Sequence, residues 1–163
     1  MSPSEAVDPK HATAVVRFFE NIGVSGLVGG DFTSADSFSD IICHYLTALS
    51  VARGRVTCSL SVQPSLVNVF KGLHGGVVAS VAERVAIACA RTVVAEDKQL
   101  FLGELSISYL SSAPLTSEVV VEGSLVRSGR NLTVVTVEFK IKDTKKLAYI
   151  ARATFYNLPT SKL

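Results

Sequence analysis

The 163-residue sequence predicts an α+β domain in which one curved antiparallel sheet wraps around a long central helix. Three observations carry this. From Val77 to Ala90 the chain has helical length, is rich in Ala, lacks Pro and contains only Ser80, Glu83 and Arg84 as polar residues. A helix apolar nearly all round is normally buried on all sides. The segments after it alternate apolar and polar residues with a period of two, the pattern of half-buried strands. They are joined by turns as short as Ser128-Gly129-Arg130-Asn131 and Asp143-Thr144-Lys145, which only antiparallel neighbours can use.

In chain order, Met1 to Lys10 is expected to be disordered, and His11 to Ile22 to form a short helix with Val15, Phe18, Phe19 and Ile22 on one side. Gly23 to Asp40, rich in Gly, Ser and Asp, reads as loop, with Phe32 and Phe38 able to pack down from it. Ile41 to Ser50 fits strand and helix equally. Arg53 to Gln63 is a strand with Val56, Cys58, Leu60 and Val62 on one face, and Pro64 to Leu73 connects it to the helix. Ala95 to Gln99 is a charged loop. Strands follow at Leu100 to Leu110, Glu118 to Arg127, Leu132 to Lys142 and Leu147 to Tyr156. The inward residues are Val119, Val121 and Leu125; then Thr133, Val135, Val137, Phe139 and Ile141; then Leu147, Tyr149, Ala151, Ala153 and Phe155. One sheet leaves part of such a helix uncovered, and a second copy of the chain is the simplest cover. The division expected is an N-terminal extension (1–40), a domain (41–158) and a C-terminal tail (159–163).

At 48% hydrophobic and 18% charged residues, with mean hydropathy +0.38, the chain is long and apolar enough for one real core. A net charge of +2 is too mild to make nucleic acid the main partner, and no apolar run approaches the length of a membrane span. Cys43, Cys58 and Cys89 have no ligand-like spacing and read as reduced core thiols, so no metal is expected. The terminal Ser161-Lys162-Leu163 spells a peroxisomal address read by an import receptor, behind an exposed Pro159-Thr160. The N-terminal segment, with Glu5, Asp8 and Glu20, has neither a signal-type apolar core nor an Arg-rich transit pattern.

Glu83 is the residue that asks for a role. A carboxylate in mid-helix among Val81, Ala82, Ala86 and Ile87 must be exposed, paired or kept for chemistry. Gly75 and Gly76 stand where a helix start leaves N–H groups unpaired, and they let a ligand approach the backbone closely. N–H groups at a helix start suit a developing oxyanion, and a poorly hydrated carboxylate suits delivery of water or direct attack. Eight positions separate Gly75 from Glu83, about 12 Å along one helix, so the two cannot flank one carbonyl. If they act together, Glu83 comes from a neighbouring chain.

Asn68 followed by Leu73-His74-Gly75-Gly76 and then Glu83 resembles the hot-dog-fold acyl-CoA thioesterases of the phenylacetate-type branch. The resemblance spans about Arg53 to Leu158 and includes Ile107-Ser108-Tyr109-Leu110 and Ala151-Arg152-Ala153-Thr154. It implies a hydrolase that splits fatty-acyl- or aryl-CoA thioesters. In it Gly75 or Gly76 N–H polarises the carbonyl, Glu83 acts as nucleophile or general base, and Asn68 positions water or carbonyl. It also implies homodimers, often paired into homotetramers, with sites between subunits and coenzyme A as part of the substrate rather than a cofactor. Two positions depart from the family: Ile87 stands where many relatives have Ser or Thr one turn after the acid, and Leu102-Gly103 where a polar residue is common.

Each residue has a plainer role open to it. Glu83 can serve a cross-dimer ion pair, while Arg84 points elsewhere on the helix. His74 can orient the loop, Gly75-Gly76 can ease helix packing, and Asn68 can cap a turn. For coenzyme A phosphates the candidates are Arg127, Arg130, Lys71 and Lys98, with the Ser128–Asn131 turn foremost, whereas Lys140, Lys142, Lys145 and Lys146 read as a solvated face. The competing functions are a hot-dog enoyl-CoA hydratase using His74 as acid and base, and a non-catalytic acyl-CoA-binding dimer.

Overall fold

The structure, a computed structural model, describes residues 9–21 and 37–159. Met1 to Asp8, Ile22 to Asp36 with Phe32, and the Ser161-Lys162-Leu163 terminus lie outside the described residues. The elements are α1 (Pro9–Asn21), α2 (Ser37–Tyr45), β1 (Leu46–Ala52), β2 (Arg55–Ser61), a 3-10 turn (Pro64–Leu66), α3 (Gly75–Arg91), β3 (Lys98–Tyr109), β4 (Glu118–Ser128), β5 (Leu132–Ile141) and β6 (Leu147–Pro159).

All six strands form one sheet in the order β1-β2-β4-β5-β6-β3, with every neighbouring pair antiparallel. The expected inward residues do face α3: Val56, Cys58, Leu60, Val119, Val121, Thr133, Val135, Val137, Phe139, Ala153 and Phe155 are fully buried. Gly123 lets β4 pass close to the helix, because a Cβ there would sit 3.1 Å from both Cys89 Cβ and Val85 Cγ1.

Several expectations change. Helix α1 starts at Pro9 rather than His11, so Lys10 is helical and not part of a disordered tail; proline's missing N–H costs nothing at a helix start. Positions 37–40 are helical rather than loop, and Phe38, instead of packing down, is 53% exposed. Ile41 to Ser50 turns out to be both states in sequence: α2 ends at Tyr45 and β1 begins at Leu46 with no breaker between. Lys98 and Gln99 belong to β3, not to the loop before it. Gly103 sits at a bulge in β3, where the ring of Tyr156 occupies the space a Cβ would need. That packing accounts for glycine at this position.

The largest correction concerns α3. It is not buried on all sides. Val78, Val81, Ala82, Val85, Ala86 and Cys89 are buried toward the sheet, while Ser80, Glu83, Arg84 and Ile87 form a half-buried stripe on the opposite side. Phe18 of α1 and Phe38 of α2 stand beside that stripe, so the chain's own N-terminal helices give part of the cover expected from a second copy.

Candidate active site at the start and outer face of the central helix

The loop entering α3 is tied down at each step. Asn68 Oδ1 accepts the N–H groups of Phe70 (2.9 Å) and Gly72 (3.2 Å), and Asn68 N–H donates to Gly72 carbonyl (2.9 Å). Asn68 therefore organises a turn with its oxygen, the plainer of its two roles. Lys71 takes the left-handed conformation there, with φ of 59°. Leu73 N–H donates to Ala113 carbonyl and His74 N–H to Leu66 carbonyl, both at 2.9 Å.

His74 is the N-cap of α3: its backbone is extended, and its Nδ1 accepts Gly76 N–H at 3.0 Å. A cap of this kind satisfies one of the free donors of the first turn. It also fixes the imidazole, since an accepting Nδ1 leaves the ring proton on Nε2. Of the two glycines, Gly76 has thus given its N–H to His74. Gly75 keeps an N–H without an acceptor among the described residues. The sequence alone could not separate the pair, because the difference lies in one side-chain rotamer. A hydratase that used His74 Nδ1 as its base would have to break this cap.

Tyr109, which the sequence did not single out, closes the other side of the junction. Its hydroxyl donates to Gly75 carbonyl at 3.2 Å, and its ring lies 3.4 Å from where a Gly75 Cβ would be. It stacks edge-on against Tyr149 at 5.8 Å between centroids, and Tyr149 hydroxyl accepts Ala113 N–H at 2.9 Å. Burial pushes the Tyr149 phenol above its ordinary value.

Glu83 lies two turns further along α3 and lines a cleft of about 350 Å³ together with Phe18, Phe38, Ser39, Ser80, Arg84 and Ile87. Arg84 shares this cleft rather than pointing elsewhere, yet no ion pair joins it to Glu83 among the described residues. Its Nη1 is buried without an acceptor among the described residues. The cleft is thus apolar at Phe18, Phe38 and Ile87, with a carboxylate and a guanidinium in its wall. Gly75 N–H and Glu83 belong to one helix and remain about 12 Å apart within a chain.

The candidate phosphate cations do not come together. Arg127 and Arg130 line one cleft of about 370 Å³ with Gly129, Asn131 and Leu132, in the β4–β5 hairpin. That hairpin is braced by Asn157, whose Nδ2 donates to Gly129 carbonyl at 2.9 Å and whose Oδ1 accepts from Thr133 at 3.1 Å. It lies past the C-terminal end of α3, because Gly123 packs on Val85 and Cys89, while Gly54, which touches Leu125, donates its N–H to the C-cap residue Thr92. Lys71 is at the opposite end of a helix roughly 25 Å long, and Lys98 begins β3. Among the described residues no group of three or more His, Cys, Asp or Glu could hold a metal ion. Cys43, Cys58 and Cys89 are buried and form no disulfide among the described residues, in keeping with the reading of core thiols.

The thioesterase superfamily model matches residues 70–148. Human acyl-coenzyme A thioesterase 13 is 26% identical over 122 residues, 75% of this chain and 86% of that protein. The E. coli PaaI protein from the phenylacetic acid degradation operon superposes with a TM-score of 0.73 at 15% identity, over 94% of this chain and 96% of that one. A hypothetical thioesterase protein with coenzyme A from Streptococcus pneumoniae gives a TM-score of 0.65 at 18% identity, over 70% and 86%. The architecture is the hot-dog fold.

Proposed function

We propose that the chain is a hot-dog-fold thioesterase of the phenylacetate type, an acyl-CoA thioesterase releasing a free acid and coenzyme A. The observation that carries the reading is Glu83: a half-buried carboxylate, with no ion-pair partner among the described residues, in a concave cleft where it meets the apolar side chains of Phe18, Phe38 and Ile87. Substrate sites are concave and mostly apolar, with few polar groups.

The open N–H of Gly75, at the positive end of α3, polarises the thioester carbonyl. Gly76 and Asn68 act by holding that junction rigid, with His74 as the cap. Glu83 attacks the carbon or deprotonates the water that does. Because 12 Å separates the two groups in one chain, the Glu83 that serves a given Gly75 comes from a second copy. The working unit is a homodimer, and pairing of dimers into a homotetramer fits the resemblance. The Arg127–Arg130 hairpin is the favoured site for coenzyme A phosphates, ahead of Lys71 and Lys98. Coenzyme A belongs to the substrate, and no separate cofactor is invoked. Ser161-Lys162-Leu163 directs the protein to the peroxisome through the import receptor.

Free-thiol release should be measured over CoA esters from short fatty to hydroxybenzoyl and naphthoyl types. Hydrolysis by the wild type, lost in Glu83→Gln with the dimer intact, supports the reading. Tight binding of these esters without thiol release supports a non-catalytic acyl-CoA-binding dimer in its place.

A further inference from the structure

Among the described residues the most exposed large apolar side chains are adjacent: Val69 at 91% and Phe70 at 89%. They form the tip of the Asn68–Gly72 turn, a place where polar residues are the rule. The tip is not loose, because Asn68 Oδ1 accepts two of the turn's N–H groups, including that of Phe70 itself. An aromatic side chain held out from a rigid turn has already lost much of the entropy that docking would cost. It touches almost nothing of its own chain.

Where it docks follows from the division of labour across the dimer, and this step rests on the reading above. When Gly75 of one chain grips a thioester reached by Glu83 of its partner, the segment leading into Gly75 comes with it. Phe70 is five residues upstream, at most about 17 Å of chain and less in a turn. The tip therefore stays within that reach of the thioester that the partner's Glu83 attacks. The Glu83 cleft presents Phe18, Phe38 and Ile87, is open on the outer face of α3, and includes the half-exposed ring of Phe38. We propose that Phe70 of one chain seats against the partner's Phe18, Phe38 and Ile87 and roofs its acyl pocket, so that the size of the accepted acyl group is set in trans by Phe70. Ile87 gives this roof an apolar surface to rest on.

Disulfide trapping tests the seating independently of activity. The native thiols are buried, and burial pushes Cys58 and Cys89 up to about 12, so they stay silent. The full-length chain carrying both Phe70→Cys and Phe38→Cys should give a covalent dimer on mild oxidation, and neither single variant should. In parallel, Phe70→Ala should shift the ratio of kcat/KM for benzoyl-CoA to that for acetyl-CoA by about tenfold, the scale of a changed apolar pocket wall. Absence of the cross-link in an enzyme that releases thiol overturns the seating alone. A cross-link in a protein that releases no thiol from any ester sustains the seating and removes the hydrolase reading. Binding to phosphatidylcholine vesicles that Phe70→Ser abolishes, with no cross-link formed, assigns the tip to a lipid surface and overturns the proposal.

Discussion

Two stripes run side by side along α3 and obey different rules. Toward the sheet, Val78, Val81, Val85 and Cys89 are fully buried, and β4 comes so close that a Cβ at position 123 would sit 3.1 Å from Val85 Cγ1 and from Cys89 Cβ. Away from the sheet, Ser80, Glu83, Arg84 and Ile87 are half-buried against Phe18 and Phe38, and a cleft remains between them. Protein interiors such as this one are close-packed, so any change of volume in the first stripe is felt. The second has unfilled space and, among the described residues, a carboxylate without an ion-pair partner and a buried guanidinium nitrogen without an acceptor. One helix thus carries stability on one side and unspent interactions on the other, and substitutions should separate the two.

The largest effect is expected on the outer stripe. Glu83→Gln keeps the shape and removes the base, so kcat should fall by about 10²–10⁴, the usual contribution of a positioned acid or base. Its melting temperature should barely move, since a half-exposed change of this kind stays within about 0.5 kcal/mol. A wild-type rate in Glu83→Gln would remove the chemistry assigned to this stripe. The inner stripe should respond in the opposite way. Gly123→Ala puts a Cβ 3.1 Å from Val85 Cγ1 and 3.2 Å from its carbonyl oxygen, part of a helix backbone that cannot yield cheaply. Overpacking of this kind costs about 1–3 kcal/mol by denaturant titration. The activity of the folded fraction should persist. If Gly123→Ala lost activity without losing stability, the two stripes would not be separable.

How much of this contrast was legible in the sequence depends on which stripe is asked about. The sheet that packs on the inner one was readable residue by residue, because Val56, Cys58 and Leu60, or Val135, Val137 and Phe139, alternate with polar neighbours and a strand has no other way to bury them, whereas the helix itself read as buried on all sides. Glu83 and the His74–Gly76 junction were also visible, as a polar residue and a glycine pair in places that need a reason. The walls of the cleft were not. Phe38 is on a helix hidden behind Ser37, Ser39 and Asp40, which favour caps and turns, and Phe18 reaches Glu83 only through tertiary packing. Edge strand β1, with four consecutive exposed positions from Thr47 to Ser50, has too little alternation to announce itself. That Lys71 stands apart from Arg127 and Arg130 needed the register of β4 against α3.

The cysteines sharpen the inner stripe further. Burial raises the Cys58 and Cys89 thiols from 9.0 to about 12. In the unfolded chain they ionise near pH 9, and in the folded one they do not. Below pH 9 neither state is charged and stability is unaffected; between pH 9 and 12 the unfolded state alone loses protons, so stability falls as pH rises. Denaturant midpoints should decline over that window, and the folded protein should give almost no reaction with a thiol reagent at pH 8.

The smallest effect falls at the border between the stripes, and it separates the two roles open to His74. As an N-cap its contribution is about 1 kcal/mol, which His74→Ala should forfeit in a melting experiment. Asn is a strong N-cap whose side-chain oxygen can take the Gly76 N–H that Nδ1 now holds. If His74 serves only to hold the junction, His74→Asn should recover most of the stability and most of kcat together, because Gly75 N–H would again be aimed by a capped first turn. If the imidazole takes part in the chemistry through Nε2, stability should return while kcat stays low. The two curves, measured on the same pair of variants, decide whether the loop supplies geometry alone or a proton as well.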